Sequence, residues 1–248
     1  MATLSEAAPF VAMILAAGRG ERLRPLTDTC PKPLVEVGGK ALIDHWLDRL
    51  AEAGCRRVVV NPCWLGERIV PHLEQRQRSA MELLFSPEPA PGLETAGGVR
   101  QALPLLDAAS FLVVNADVYC PLDLAAFVRR AYRQLEAGFL AHLLLVPNPA
   151  HHPGGDFALG GDAMVYPEAV DARGEPLTFS GIGFYRAELF QPLPAGARAP
   201  LAPLLRAAMR AGKVSGERHD GLWVDVGTPE RLESLRRQLS AAGKERTP

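Results

Sequence analysis

Lysine and cysteine are both scarce in this 248-residue chain, and each scarcity excludes a class of function. Only four of the 27 basic side chains are lysines, no lysine-rich run occurs, and the formal net charge is −1. The electrostatic footprint of a nucleic-acid-binding protein is therefore missing. The four cysteines show neither a CxxC pair nor a zinc-like spacing, which predicts reduced cytosolic thiols without a metal or disulfide role. They are Cys30, Cys55, Cys63 and Cys120.

Long apolar runs and targeting signals are also missing. No uncharged apolar run approaches the roughly 18 residues that a membrane span requires. The first ten residues, MATLSEAAPF, have neither a basic flank nor a long apolar core, so we expect no signal peptide. These features predict a cytoplasmic protein with no membrane partner and no nucleic-acid partner, and they leave the oligomeric state open.

Two common phosphate-binding motifs are absent from the stretch 13–35, which reads MILAAGRGERLRPLTDTCPKPLV. A P-loop requires Gly-Lys-Ser/Thr, and no such tripeptide follows Gly18 or Gly20. A dinucleotide fingerprint requires a third glycine where this chain has Leu23. What remains is a turn of small residues whose backbone N–H groups can approach an anion closely. The turn comprises Ala16, Ala17, Gly18, Arg19 and Gly20.

Basic side chains follow this turn and predict a polyanionic ligand. Surface arginines are often only solvated, but Lys32 stands between Pro31 and Pro33, whose rings restrict the backbone on both sides. A restrained lysine in a chain with so few lysines favours a binding function. The basic residues within 14 positions of Gly18 are Arg19, Arg22, Arg24 and Lys32.

Apolar strand-like segments alternate with amphipathic helix-like segments along the first half of the chain. This alternation indicates a mainly parallel sheet covered by helices on both faces, and hence an α/β protein. After residue 147 the pattern is less regular. The predicted strands are 10–15, 57–61, 81–86, 111–115, 142–146 and 222–226, with hairpin-like pieces at 157–165 and 177–185. The predicted helices are 41–53, one from about 64, 95–106, 123–138, 201–211 and one from 228–229.

Two aspartates lie at predicted carboxyl ends of strands, where ligands bind in sheets of this kind. Asp117 follows the apolar strand FLVVN, and Asp225 lies in WVDVG. A carboxylate in such a position often only caps a turn. Two aspartates that converge on a basic glycine loop instead suggest Mg²⁺, a hard cation that prefers oxygen ligands. The combination predicts phosphoryl chemistry.

The motif GxGxRLxPLTxxxPKPLV, followed by LETAGG at 93–98 and an aspartate-bearing strand, resembles the sugar-1-phosphate nucleotidyltransferases. The order of these motifs matches along nearly the whole chain. The resemblance implies a three-layer α/β/α sandwich with a mainly parallel mixed sheet, the Rossmann-like fold of nucleotide-diphospho-sugar transferases. It further implies one domain over 1–248, with a nucleotide-binding half at 10–146, a sugar-binding half at 147–240 and no C-terminal β-helix.

Three later stretches resemble the members of this family that use UTP and N-acetylmuramate 1-phosphate. They are NPAHHPGGDF at 148–157, LTFSGIG at 177–183 and KVSGERHDGLWVDVGTPERL at 213–232. The implied reaction joins UTP and the sugar 1-phosphate to give a UDP-sugar and pyrophosphate, with Mg²⁺, in cell-wall recycling. The implied partners are therefore small molecules.

The resemblance also assigns roles to individual residues. Arg22 contacts the departing phosphates and Lys32 the reacting phosphates, as the catalytic pair, while Asp117 and Asp225 ligate Mg²⁺. The nucleotide is bound by Ala16, Ala17, Gly18, Arg19, Gly20, Glu88, Glu94, Thr95 and Gly97. The sugar-binding residues are Asn115, Asp156, Ser180 and Gly181.

The chain departs from the family pattern at three places. Glu94 and Ala116 stand where many relatives have glycine, and 174–176 is Gly-Glu-Pro where many carry Glu-Lys-Pro. His151 and His152 are candidates to help hold the sugar phosphate, or they are plain loop residues.

Three other functions stay open: a nucleotidyltransferase with another substrate pair such as mannose 1-phosphate and GTP, a non-catalytic regulatory subunit that binds sugar nucleotides, and an unrelated nucleotide-binding interaction module.

Overall fold

Strands form where valine, leucine, isoleucine and phenylalanine run together, and helices form where such side chains recur every three or four residues. A computed structural model describes residues 9–76, 81–168 and 174–244. The strands are β1 Phe10–Leu15, β2 Glu36–Val37, β3 Lys40–Ala41, β4 Cys55–Val60, β5 Glu82–Phe85, β6 Ser110–Asn115, β7 Val118–Tyr119, β8 Ala141–Val146, β9 Phe157–Leu159, β10 Val165–Tyr166, β11 Glu175–Arg186, β12 Val214–Arg218 and β13 Val224–Asp225. The helices are α1 Leu26–Thr29, α2 Leu42–Glu52, α3 Gly66–Arg76, α4 Glu94–Leu106, α5 Leu124–Glu136, α6 Leu201–Arg210 and α7 Pro229–Lys244.

Local sequence signals set several of these boundaries. Asp123 caps α5, because its side chain accepts a hydrogen bond of 2.8 Å from the backbone N–H of Ala126. Pro104 does not end α4, which continues to Leu106. The predicted strand 222–226 is shorter than expected, because only Val224–Asp225 pairs with another strand, β7.

The predicted hairpin-like piece at 177–185 is wrong, because β11 is one continuous strand of 12 residues. The strand contains an irregularity in place of a turn. The pairing of β11 with β8 shifts register between Phe179 and Gly183, and Gly181 in this interval has φ +78°. Such a bulge re-aims the neighbouring backbone without ending the strand. The piece at 157–165 does form an antiparallel pair, β9 with β10.

In the described parts of the chain, nine strands form the main sheet. Strands β5, β4, β1 and β6 are mutually parallel, while β11 pairs antiparallel with β6, β8 and β9. Strand β12 is parallel to β8 and forms the far edge. The parallel strands therefore end together, and their carboxyl ends carry Leu15, Val60, Phe85 and Asn115.

Alternate residues of β1 face opposite layers of helices. Phe10, Ala12 and Ile14 belong to a buried cluster with α2, α3 and α5. Val11 and Met13 belong to a second cluster with α4 and α6. Burial on both faces explains why the strand reads as a continuous apolar run. The α/β/α sandwich with a mainly parallel mixed sheet that the sequence predicts is confirmed.

A third buried cluster, which we call the third core, joins α7 to the loops beside the sheet. Its members are Leu23, Val35, Val37, Leu42, Tyr119, Val226, Leu232 and Leu235. Leu23 and Val35 lie on either side of Lys32 in the sequence, and Val226 directly follows Asp225. The third core therefore fixes the two candidate functional segments against each other.

All four cysteines are free, and burial raises the pKa of the Cys55 and Cys120 thiols to about 12, which makes both chemically inert. Within residues 9–76, 81–168 and 174–244, no helix has the length and apolarity needed to cross a membrane.

A partly buried polar network joins α5, β8 and β12, with His142 and Ser215 fully buried in it. His142 contacts Ser215 Oγ at 2.9 Å and Glu217 Oε2 at 3.3 Å, and Arg130 makes two hydrogen bonds of 2.6 Å to Glu217. Burial alone would raise the pKa of Glu217, but the hydrogen bonds from Arg130 and His142 outweigh burial and lower the pKa to about 2. This carboxylate therefore stabilises the folded state only while it is ionised.

Acid should remove that contribution of Glu217. The pKa is about 2 in the folded protein against 4.5 for a free glutamate, so the stabilisation is complete above about pH 4.5 and disappears as the pH falls towards 2. Glu217→Gln should lower the free energy of unfolding by roughly 2–3 kcal/mol at pH 7 and by much less at pH 3. Urea unfolding at both pH values measures the difference. Glu233→Gln, which removes an exposed ion pair with Arg236, is the control and should show little change at either pH.

Candidate active site

The candidate site lies at the carboxyl ends of the parallel strands, and two buried polar residues, Asn61 and Glu88, brace its wall. The backbone N–H of Ala16 donates to Asn61 Oδ1 at 2.7 Å, and Asn61 Nδ2 donates to Glu88 Oε1 at 2.6 Å. The other oxygen of Glu88 accepts the backbone N–H of Leu93 at 2.6 Å. The loops that follow β1, β4 and β5 are thus tied to the start of α4.

A cavity of about 310 Å³ opens between these loops, and we call it the first cavity. Its size is that of a small-molecule site. Lys32 and Asp117 line this cavity, as do Glu88 and Gly92. The lining residues are Leu15, Ala16, Ala17, Gly18, Lys32, Pro33, Asn61, Glu88, Pro91, Gly92, Glu94, Thr95, Asn115, Ala116, Asp117 and Arg198.

The glycine turn packs directly on the lysine. Gly20 has φ +69°, and a Cβ there would lie 3.2 Å from Lys32 Cβ and 3.1 Å from the Thr27 methyl group. Only glycine allows both this conformation and this approach. The Thr27 hydroxyl also donates to the Gly20 carbonyl at 2.8 Å. The turn and the lysine segment therefore form one unit.

Arg19, at the tip of the turn, stacks on an aromatic ring. Its guanidinium carbon lies 4.3 Å from the centre of the Trp64 ring, and the Trp64 indole N–H donates to the Thr27 carbonyl at 2.9 Å. A cation over an indole face is favourable and restricts the arginine. Arg19 is thus held beside the first cavity and does not line it.

Lys32 lies between the two aspartates that the sequence singled out. It is only 8% exposed, its Nζ donates to Asp117 Oδ2, and it lies 4.0 Å from Asp225 Oδ1. Asp225 uses its other oxygen, Oδ2, to accept a hydrogen bond of 2.9 Å from Arg231. Residues more than 100 positions apart in the sequence therefore form one charged cluster.

A second cavity, of about 460 Å³, lies on the other side of this cluster. Arg22 lines the second cavity and not the first, so the structure separates the two predicted catalytic cations, Lys32 and Arg22. Asn115 and Asp117 line both cavities. The lining residues are Arg22, Asn115, Asp117, Val118, His151, His152, Asp156, Thr178, Phe179, Ser180, Gly181, Trp223 and Asp225.

The predicted sugar-binding residues all line this second cavity, but they differ in how far their polar groups already contact the protein. Gly181 approaches Asn115 so closely that a Cβ would lie 2.6 Å from its side-chain nitrogen. Asp156 accepts the backbone N–H of Phe179 at 2.9 Å and contacts His152 at 3.2 Å. The hydroxyl of Ser180 is buried and donates to the Leu144 carbonyl at 2.7 Å, so its hydrogen already has a backbone partner.

His151 also lines the second cavity and contacts Arg231. The guanidinium NH1 of Arg231 lies 2.7 Å from His151 Nε2, so Nε2 accepts the hydrogen bond. Burial and the nearby Arg231 charge lower the pKa of His151, which favours the neutral ring. The structure therefore gives His151 a specific partner on α7.

Among the predicted nucleotide-binding residues, Thr95 lines the first cavity but Gly97 and Gly20 do not. Gly97 packs against residues 197–199: its N–H donates to the Ala199 carbonyl at 3.0 Å, and a Cβ would lie 2.3 Å from the Ala197 carbonyl oxygen. Gly97 thus holds α4 against this loop. Glu88 uses both carboxylate oxygens in contacts with the protein, which makes it a support of the cavity wall.

Glu94 has a strained backbone at the rim of the first cavity. Its φ is +62°, in the left-handed region that costs a non-glycine residue roughly 1–2 kcal/mol. Its carboxylate contacts Arg198 at 2.7 Å, across 104 positions of sequence. Both residues line the first cavity. Strain that persists at a cavity rim is typical of functional positions.

Two substitutions of Glu94 separate the strain from the carboxylate. Glu94→Gly and Glu94→Ala both lose the contact with Arg198, but only glycine adopts φ +62° without strain. The glycine variant should therefore be about 1 kcal/mol more stable than the alanine variant. Its melting temperature should be roughly 2–4 °C higher. Equal melting temperatures would contradict strain at this position.

Sequence patterns missed five residues of the site: Asn61, Trp64, Arg198, Trp223 and Arg231. Asn61 had a detectable signal, because it directly follows the apolar strand β4 as Asn115 ends β6. The others act through partners that are distant in the sequence. Trp223, for example, donates its indole N–H to the Ser180 carbonyl at 3.0 Å.

Fold and site together are those of a nucleotide-sugar-forming enzyme, and residues 11–155 match the model of the nucleotidyl transferase family. The chain belongs to this family, and the resemblance seen in residues 13–35 is confirmed. It is 53% identical to an N-acetylmuramate alpha-1-phosphate uridylyltransferase of Neisseria meningitidis serogroup B, over 89% of this chain and 94% of that protein. A protein of the same name from Caulobacter vibrioides is 34% identical over 95% of this chain and 99% of its own length.

The sheet architecture also matches a solved structure. A provisionally named glucose-1-phosphate thymidylyltransferase from Bacillus anthracis, crystallised with sucrose, superposes with a TM-score of 0.79 over 93% of this chain and 95% of that chain. The two sequences are 19% identical. At this identity the comparison shows the shared fold.

Proposed function

We propose that this protein transfers a uridylyl group from UTP to N-acetylmuramate 1-phosphate, releasing pyrophosphate and forming UDP-N-acetylmuramate. The observation that carries the proposal is buried Lys32, which lines the first cavity and lies between Asp117, which lines both cavities, and Asp225, which lines the second. Two relatives that bear the name of this activity align with almost the whole chain, which supports the choice of substrates. The residues 10–146 would bind the nucleotide, and 147–240 would supply much of the sugar site.

The two carboxylates suit a magnesium ion. Asp117 and Asp225 offer hard oxygen donors within one charged cluster, which is the chemistry that Mg²⁺ prefers. In residues 9–76, 81–168 and 174–244, no group of three or more acidic, histidine or cysteine side chains is placed to hold a metal. The ion would therefore be held by the two aspartates together with substrate phosphates and water. When bound, it would neutralise phosphate charge.

No general base is needed, because the attacking phosphate is already ionised. One oxygen of the sugar phosphate forms a new bond to the α-phosphorus of UTP. The bond from that phosphorus to the oxygen shared with the β-phosphate breaks, and pyrophosphate leaves with the electron pair. Repulsion between the two anions is the obstacle. Lys32 lines the first cavity and contacts Asp117, which lines both cavities, so it would stabilise both anions as they approach. Arg22, which lines the second cavity, would add positive charge beside the phosphate of the sugar.

The nucleotide would occupy the first cavity. Its phosphates would lie near the turn Ala16–Gly20 and Lys32, and its base near Thr95 and Glu94. Glu88 would support the base site through Asn61 and Leu93 instead of contacting the base directly. Arg19 would bind phosphate only after leaving the Trp64 ring.

The sugar would occupy the second cavity, with Asn115, Asp156 and Gly181 against it and Ser180 contributing its backbone. N-acetylmuramate carries a lactyl carboxylate that N-acetylglucosamine lacks. The loop with His151 and His152 is the candidate to recognise it. Equal use of N-acetylglucosamine 1-phosphate and the muramyl compound would contradict this selectivity.

One panel of substrate pairs tests the proposed reaction. Each of UTP, GTP, dTTP and ATP is combined with N-acetylmuramate, N-acetylglucosamine, glucose or mannose 1-phosphate, and pyrophosphate release is measured. UTP with N-acetylmuramate 1-phosphate should give the highest kcat/KM. Preference for GTP with mannose 1-phosphate would instead support the guanylyltransferase alternative. Binding without turnover for every pair would support a regulatory subunit or an interaction module.

A further inference from the structure

We propose that Arg231 is a positioning residue that orients the imidazole of His151 as a hydrogen-bond donor to the sugar substrate, while it holds Asp225 in place. This inference rests on the proposed function, because it assigns the second cavity to the sugar. Arg231 itself does not line that cavity, but both of its partners do. The arginine therefore acts on the sugar through Asp225 and His151 and does not contact it directly.

The contacts of Arg231 fix both partners through one nitrogen. NH1 donates to Asp225 Oδ2 at 2.9 Å and to His151 Nε2 at 2.7 Å, which uses its two hydrogens. The side chain is only 18% exposed. A planar guanidinium with two such bonds has little remaining freedom, and a lysine could not reproduce this geometry.

The hydrogen bond to Nε2 determines what His151 can do. Since Nε2 accepts, the neutral ring must carry its hydrogen on Nδ1. The Nδ1–H group is then the remaining polar group of a ring that lines the second cavity. His151 thus presents a donor, which suits an acceptor oxygen such as a carboxylate or hydroxyl of the sugar.

Gly227 makes room for the guanidinium. A Cβ at this position would lie 2.3 Å from Arg231 NH2, and 3.1 Å from Arg22 NH2. Both obstructing atoms are the ends of flexible side chains, so an added methyl group would displace the arginines without breaking the backbone. The close approach of Gly227 and Arg231 therefore allows Arg231 to be moved without being removed.

Calorimetric binding of the sugar nucleotide tests the proposal directly. The product UDP-N-acetylmuramate would occupy both cavities, whereas UTP would occupy only the first. In Mg²⁺-free buffer, where Asp225 cannot act through a bound ion, Arg231→Gln should raise the Kd for UDP-N-acetylmuramate by about tenfold or more, the scale of losing an oriented hydrogen bond to a charged group, and change the Kd for UTP less than twofold. Arg237→Gln, an exposed arginine on α7, is the control and should change neither.

Further variants separate a positioning role of Arg231 from a general structural effect. Arg231→Lys should behave like Arg231→Gln, because charge alone does not orient the ring. Gly227→Ala should also raise the Kd for UDP-N-acetylmuramate, and any accompanying change in the Kd for UTP would report the displaced Arg22. His151→Asn, which retains an N–H donor, should keep more affinity than His151→Ala.

Several outcomes would overturn the inference. Equal loss of UTP and UDP-N-acetylmuramate affinity in Arg231→Gln would mean that the arginine only supports the fold around Asp225. If Arg231→Gln left the Kd for the sugar nucleotide unchanged while the wild-type protein turned over, the role of Arg231 would be refuted and the proposed function would stand. A wild-type protein that neither binds UDP-N-acetylmuramate nor turns over would instead refute the proposed function.

Discussion

Replacing Lys32 by alanine is expected to lower kcat by roughly 10²-fold or more, the usual cost of removing one preorganised charge that stabilises the transition state. The lysine lies between Asp117 and Asp225 and lines the first cavity. Water that fills the vacated space cannot supply a fixed positive charge. The measurement is steady-state pyrophosphate release with saturating substrates.

The fold should survive this change. Stability is best measured with Mg²⁺ present, because two carboxylates without the ammonium group repel each other. Lys213→Ala is the matched control, since Lys213 is exposed and far from both cavities, and its kcat should equal that of the wild type. A folded Lys32→Ala protein with near-normal kcat would remove Lys32 from the proposed mechanism.

The second large effect is expected from Asp225→Asn. Asparagine keeps the shape of the side chain but loses the charge that would offset Mg²⁺. Turnover should fall by roughly 10²-fold at low Mg²⁺, in line with the several kcal/mol that a metal ion supplies in such reactions. Partial recovery should follow as the Mg²⁺ concentration rises. The decisive measurement is therefore turnover as a function of Mg²⁺ concentration.

The Mg²⁺ curves of two variants, Asp220→Asn and Asp225→Asn, are each compared with the curve of the wild type. Asp220→Asn removes an exposed carboxylate paired with Arg218, and its Mg²⁺ curve should match that of the wild type. A matching curve for Asp225→Asn would show that Asp225 only receives hydrogen bonds from its turn and from Arg231. Asp117 would then remain as the single candidate carboxylate of this pair.

The sheet and its helices were largely predictable, because local periodicity determines them. The continuous apolar run FVAMIL predicts a buried strand, and the apolar face of segment 42–52 predicts a helix packed on the sheet. Both structures follow from the local sequence pattern. Strand β11 was not predictable in the same way. Its internal bulge at Gly181 depends on pairing with β8 and on the close approach of Asn115, and neither partner is near in sequence.

Some residues of the candidate site were likewise predictable from the sequence, and others were not. Lys32, Asp117 and Asp225 were predictable, because each follows a motif or a strand end and the carboxyl ends of parallel strands meet. Their mutual contacts bear out this geometric reasoning, while their chemical roles stay predictions. The partners Arg198 and Arg231 were not predictable. An arginine on a helix or loop gives no signal of which carboxylate, 104 or six positions away, it will contact.

The third core has a consequence for the order in which the protein loses structure and activity. It is small and joins α7 to loops, whereas the main sheet is held by two much larger clusters. Cooperative units of this kind often open below the global unfolding free energy. Moderate urea should therefore detach α7 and separate Lys32 from Asp225 while the sheet persists. Activity would then vanish at a lower urea concentration than the circular dichroism signal, and the amides of α7 would exchange with deuterium before those of β1 and β6.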